Sequence, residues 1–181
     1  MKQMLSYAIT DPKLYSNLKD SFFKFERLQT ADFILFRDKI CSDYVKKAEI
    51  FMSLKPNFKA KFIIHNDLNL ALNLKADGIH FSSNLIANLK NTPQSLIKFA
   101  STHNEKEIED AIKLGADFIT FSPIFSTPNK GEPVGIETLK KIVLNSSVKV
   151  FGLGGITTKK HIKMVELAKA AGFASIRYFA N

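Results

Sequence analysis

Three short segments carry the residue types that could do chemistry: Phe99-Ala-Ser-Thr-His103, Phe121-Ser-Pro-Ile-Phe-Ser-Thr-Pro-Asn-Lys130 and Gly152-Leu-Gly-Gly-Ile-Thr157. Each lies at the C-terminal end of a strand-like run. Ser101 and His103 are two apart on an extended stretch and so project to one side. Imidazole titrates near neutral pH, which suits general acid–base work. Lys130 sits in a loop punctuated by Pro and Gly, placed to act as a lid. Gly154 and Gly155 precede a helix that begins near Thr157. Backbone N–H groups free of side-chain obstruction, beside a helix N-terminus, make an anion site. Hydroxyl, imidazole, lysine and glycine loop together point to a small phosphorylated substrate.

Other candidates flank these. Arg37 and Lys39 could grip a carboxylate or phosphate from one side of an extended chain; the plainer alternative is an ion pair with Asp38 or a nearby acid. His65 and His80 also stand at strand ends, which raises the question of a metal, since neutral imidazole binds zinc. Their spacing matches no compact ligand motif, and His80 is expected as a packed, hydrogen-bonded residue of the interior. His161, within a helix among lysines, is expected to face solvent.

The elements that must position these groups alternate. Short β-branched and aromatic runs predict strands over Leu5–Thr10, Asp32–Arg37, Lys61–His65, Gly78–Ser82, Ile97–Thr102, Phe118–Ser122, Val148–Gly152 and Phe173–Arg177. The clearest helical patterns are Asn104–Leu114, Gly135–Leu144 and Thr158–Ala170. Asn104 and Glu107 read as a capping-box start and Gly115 as the stop, with Ile108, Ala111 and Ile112 as the apolar stripe. Eight strands alternating with helices predict an α/β chain folded as a TIM (β/α)8 barrel. It is a short form: the crossovers after the first, third and fourth strands have room only for small helices or turns, and the usual last helix is missing. A partner subunit or the first helical segment is expected to cover the surface beside strands eight and one.

A chain of 181 residues suits one core and one domain, spanning 1–181. The formal charge of +9 raises nucleic-acid binding. Yet arginine, the usual base reader, occurs only at Arg27, Arg37 and Arg177, and the lysines are scattered, so a lysine-coated surface with a local anion site is the simpler reading. Cys41 stands alone, so no internal disulfide forms, which suits a reducing cytoplasm. No apolar run approaches the roughly 18 residues of a membrane span and no signal peptide is evident. The expectation is a cytoplasmic homo-oligomer with no nucleic-acid or membrane partner.

Thr10-Asp11, Phe36-Arg37-Asp-Lys39, Ala76-Asp-Gly-Ile-His80, Ser101-Thr-His103, the block Gly115–Thr127, Lys130 and Gly152-Leu-Gly-Gly-Ile-Thr157 resemble the thiamine phosphate synthase/TenI superfamily. The resemblance runs over nearly the whole chain and is most specific in Gly115–Lys130. It implies a phosphate-binding barrel and one of two chemistries. The synthases join hydroxymethylpyrimidine diphosphate to a thiazole phosphate, with magnesium on the departing pyrophosphate. The TenI-type tautomerases move a proton within a thiazole phosphate carboxylate and make it aromatic. The implied catalytic residues are Ser101 and His103. The implied substrate and phosphate contacts are Arg37, Lys39, Thr127, Lys130, Gly154, Gly155 and Arg177.

This chain departs from both patterns. The tautomerase histidine after strand six matches Pro123, which is the synthase pattern. The synthase glutamine before its second-strand arginine is Leu35 here. The synthase Asn-Asp pair falls on His65 and Asn66 without a gap, or reaches Asp67 with a shift. The acid after strand four falls near Leu85. If magnesium is bound, Asp67 or Asp11 is left to hold it, at a weakened site. Strand eight ends in Ile176-Arg-Tyr-Phe179 instead of small residues, so Arg177 either contacts phosphate or blocks the pocket. The expectation is a divergent synthase. The alternatives are a tautomerase using His103, or an inactive protein that binds thiazole phosphate.

Overall fold

The computed structural model describes residues 4–128 and 130–180. The strands are β1 (Leu5–Ile9), β2 (Phe33–Phe36), β3 (Lys61–His65), β4 (Gly78–Phe81), β5 (Ile97–Thr102), β6 (Phe118–Phe121), β7 (Lys149–Leu153) and β8 (Gly172–Ser175). All pair in parallel, in chain order, and β8 closes onto β1. The predicted α/β class and eight-stranded barrel hold. The helices are α1 (Leu18–Lys24), α2 (Tyr44–Leu54), α3 (Leu68–Asn73), α4 (Glu105–Lys113), α5 (Gly135–Asn145) and α6 (Lys159–Leu167). After β1, β3 and β4 the chain forms only small helices, as expected: α1, α3 and, after β4, a 3-10 segment, Ser83–Asn91. Among the described residues no helix is long and apolar enough to cross a membrane.

Strand alternation sends one set of side chains into the barrel and the other toward the helices. Tyr7, Phe33, Phe99, Phe118 and Phe151 fill the lower interior, with ring centroids 4.4 Å apart for Tyr7–Phe99 and 4.7 Å for Phe99–Phe118. The barrel is plugged there, so any site must sit above, at the C-terminal ends of the strands. Outward-facing Ile34, Phe36, Phe62, Ile79, Phe81 and Ile119 form the second core against the helices.

A repeated device closes the lower rim. Asp32, Asp77 and Asp117 each stand just before an even-numbered strand. Their carboxylates accept from the N–H groups of Ser6, Phe62 and Lys98, each at the start of the preceding odd strand, all at 2.8 Å. The fourth pair lacks it, because Gly172 follows Ala171 there.

The last strand and the turn after it differ most from the sequence reading. The last strand stops at Ser175, because the Ser175 hydroxyl donates to the Ile156 carbonyl at 2.6 Å and accepts from the Tyr178 N–H at 3.1 Å. Arg177 therefore stands in a turn and not in a strand. That turn also covers the surface beside β8. Phe179 is buried and stacks on Phe173 with ring planes 4° apart. Arg27, in the 3-10 segment after α1, lies over the Tyr178 ring at 4.6 Å and donates to its carbonyl. The chain's own C-terminal turn, clamped by the first helical region, does the covering.

Candidate active site

At the open end of the barrel lies a cavity of about 300 Å³, a size that suits a small molecule. All nine residues singled out as catalytic or substrate-binding line it: Ser101 and His103 from β5 and its loop, Arg37 and Lys39 after β2, Thr127 and Lys130 after β6, Gly154 and Gly155 after β7, Arg177 after β8. Tyr178 is not in the lining; its ring packs outside, against Phe173 and Arg27.

The glycine loop is shaped by close packing. Gly154 and Gly155 have φ of +100° and +68°. A Cβ on Gly154 would lie 2.7 Å from Pro123 Cα, and one on Gly155 would lie 2.6 Å from the Ser126 carbonyl oxygen. The β6 loop can thus lie directly on the β7 loop, tied by the Ile124 N–H to the Leu153 carbonyl and the Phe125 N–H to the Gly154 carbonyl. Among the described residues, the N–H groups of Gly154, Gly155, Ile176 and Arg177 have no protein acceptor. Four unpartnered donors in two adjoining loops form a backbone cup for an oxyanion. Ser175, which sequence reasoning did not single out, clips these two loops together through Ile156.

A second cationic stretch comes from the other side of the rim. Asp38, the expected partner for Arg37, is instead buried and paired to Lys47 at 3.1 Å. Among the described residues Arg37 makes no ion pair. Its pKa is lowered by burial, against the opposing pull of Asp11 and Asp38. Lys39 is lowered chiefly by Arg37, then by burial and by Lys130. These three cations repel one another, and an anion between them relieves that.

Between the two stretches stand the histidines. His80 is buried, as expected, but it is not inert. Its Nε2 lies 2.8 Å from Ser101 Oγ, and Tyr7 lies beneath at Nδ1. Ser101's imidazole partner is therefore His80 and not His103. The two meet between neighbouring strands, β4 and β5, and no local spacing announces it. His103 turns its Nδ1 toward the Ser122 carbonyl at 3.0 Å. A carbonyl only accepts, so Nδ1 carries the proton and Nε2 is left to accept one. Glu107 fixes the backbone beneath by accepting from the His103 N–H at 2.7 Å, while Asn104 caps α4 through the Glu107 N–H. His65 sits against Ser82, which Asn66 grips at two points. Burial, with Arg37 and Lys39 nearby, pushes His65 down to about 3. His161 does not face solvent freely: its ring stacks on Phe125 with centroids 4.4 Å apart, and its Nδ1 accepts from the Thr157 N–H.

A family model described as thiamine monophosphate synthase (TMP-TENI) matches residues 6–179. The chain belongs to that family. A protein of Aquifex aeolicus (strain VF5), named provisionally as thiamine-phosphate synthase 2, is 33% identical over 183 aligned positions, covering 96% of each chain. The thiamine-phosphate synthase of Synechocystis sp. (strain PCC 6803) is also 33% identical, over 68% of this chain and 38% of that longer one. Among solved structures, a thiamine phosphate pyrophosphorylase from Pyrococcus furiosus superposes with a TM-score of 0.81 at 26% identity, covering 96% of this chain and 85% of that one. The (S)-3-O-geranylgeranylglyceryl phosphate synthase of Thermoplasma acidophilum, at 16% identity and a TM-score of 0.73, shares the fold.

Family membership raises the magnesium that the sequence resemblance implied. No aspartate or glutamate appears among the cavity's described lining residues. Asp11 accepts from the Lys13 N–H, outside the cavity. Asp67 lies in an adjoining polar groove and caps α3 through the Leu70 N–H at 2.9 Å. Leu85, at the position of the second acid, packs against the core. Among the described residues no three His, Cys, Asp or Glu gather. Magnesium asks for carboxylate oxygens, and this lining does not fit it.

Proposed function

We propose that this chain is a thiamine-biosynthesis transferase of the synthase type, joining a pyrimidine diphosphate to a thiazole phosphate. The observation that carries the reading is the pair of anion-binding stretches on one small cavity. One is the backbone cup of the β7 and β8 loops; the other is the cation group Arg37, Lys39 and Lys130. Two phosphorylated substrates need two such places. The cup takes the thiazole phosphate, with Arg177 beside it. The cations take the diphosphate. The C–O bond to the diphosphate breaks, pyrophosphate leaves with the electron pair, and the thiazole nitrogen lone pair makes the new bond. Such a reaction depends on alignment and on neutralising charge on the leaving group, which the cation group can supply. Ser101 lies between the two stretches and can orient the pyrimidine.

The test is pyrophosphate release on mixing both substrates. Lys130→Ala is expected to slow it by about tenfold or more, in line with removing a hydrogen bond to a charged group. An unchanged rate with this variant rejects the assignment.

A second reading is favoured by the open Nε2 of His103, whose other nitrogen is pinned to Ser122. A base so held can move a proton within a thiazole phosphate carboxylate, which is the tautomerase reaction. Aromatisation of that compound without pyrophosphate release, lost in His103→Ala, would select it.

A further inference from the structure

The cationic wall of the cavity, set against its lack of carboxylates, assigns a property beyond the reaction class. We infer that this chain binds the diphosphate as the free anion, its charge met by protein cations instead of a divalent metal. The inference rests on the reading of Arg37, Lys39 and Lys130 as the diphosphate site.

Charge matching carries it. Arg37, Lys39, Lys130 and Arg177 line one cavity with no described carboxylate among them. The carboxylates around this wall lie outside the cavity lining and hold other groups: Asp38 binds Lys47 and the Ile40 N–H, Asp11 the Lys13 N–H, and Asp67 the start of α3. Arg37 is half-buried without an ion pair among the described residues, a costly state for a cation. A metal-free diphosphate ester brings about three negative charges at mildly alkaline pH, and inorganic pyrophosphate three to four; each free oxygen can accept from guanidinium or ammonium. A magnesium diphosphate carries two fewer charges and its metal repels the same cations. The cavity therefore favours the bare anion over the complex, and the shortage of carboxylates leaves the metal without a seat. His65, which lines the same cavity beside Arg37 and Lys39, is kept neutral by burial, so the charge facing the anion comes from the arginines and lysines.

The experiment is calorimetric titration of the whole, metal-stripped protein with inorganic pyrophosphate, first in EDTA and then in excess magnesium. Binding is expected in EDTA, weakened by magnesium and by added salt, and about tenfold or more weaker in Lys39→Ala and Lys130→Ala. Both lysines are exposed, so both variants should fold. Asp67→Asn keeps a helix-capping side chain and is expected to leave the magnesium response unchanged. Binding that requires or tightens with magnesium overturns the inference, as does an Asp67→Asn protein that loses such a response. A two-substrate assay separates the two readings. Pyrophosphate release alongside magnesium-dependent binding rejects the inference and keeps the transferase. Metal-free binding without product does the reverse.

Discussion

The Tyr7 hydroxyl lies 2.9 Å from Nδ1 of His80, 73 positions along the chain and at the floor of the cavity. Burial holds the Tyr7 phenol well above its ordinary pKa and His80 well below its own, so both stay neutral. With no other described partner for the phenol, its proton goes to Nδ1. The His80 proton then sits on Nε2 and is donated to Ser101 Oγ. Ser101 is left with its own proton to give to whatever occupies the cavity. Tyr7 thus sets Ser101 as a donor, two hydrogen bonds away.

Tyr7→Phe should remove that setting while keeping the ring. The expected stability loss is about 1–3 kcal/mol, the cost of one unsatisfied buried acceptor. Nitrogen-15 NMR of the imidazoles should show His80 as the Nε2–H tautomer in the native protein and a mixture in the variant. A native spectrum with the proton on Nδ1 rejects the relay, whatever the variant does to activity.

Stability should fall on the acid side. The unfolded chain takes up protons on His65 and His80 as the pH drops through about 6.5. The folded chain refuses them, His65 until about 3 and His80 also to well below its ordinary value. In that window the unfolded state binds more protons, so unfolding becomes easier as pH falls, by up to about 1.4 kcal/mol per pH unit for each histidine. Urea denaturation between pH 7 and 4 checks this. His65→Asn should flatten the slope by one histidine's share; an unchanged slope counts against a neutral His65.

Much of this was legible in the residues, and the exceptions share a cause. The strand cores were readable because both faces of a parallel barrel strand are covered, which leaves apolar runs such as Phe62-Ile-Ile64. The rim residues were readable because each follows such a run. Contacts between strands were not. Ser101 and His103 are neighbours in sequence, but register sets Ser101 beside Thr120 and brings His80 of β4 to its hydroxyl. The aspartates of the lower rim did leave a signal, the repeated Ala-Asp before β2, β4 and β6. The end of β8 was misplaced because a side-chain bond, Ser175 to Tyr178, stops a run that still looks extended.

Gly155→Ala tests whether the anion cup depends on loop contact. At φ +68° an alanine is strained, and its Cβ would meet both Phe125 and Ser126. The cost is expected to be about 1–3 kcal/mol, read as a lower Tm. Because the β6 loop must move away, the affinity for thiazole phosphate should drop further than the fall in stability alone explains. Unaltered affinity would mean that the cup lies elsewhere.

His161 joins the same two loops from outside. Its ring lies flat on Phe125 of the β6 loop, while its Nδ1 holds the Thr157 N–H at the start of α6. Removing it frees the β6 loop from the β7 loop at a point where a helix side chain clamps both. Yet the ring touches no cavity atom, since His161 is not in the lining. His161→Ala should therefore cost about 1 kcal/mol of stability, the usual worth of a hydrogen bond, and raise KM for the phosphorylated thiazole with little change in kcat. His161→Phe keeps the stack and loses the acceptor, so it should recover part of the KM effect. Equal losses in both variants would place the whole effect on the Thr157 hydrogen bond, and a fall in kcat alone would reject a role in positioning the loops.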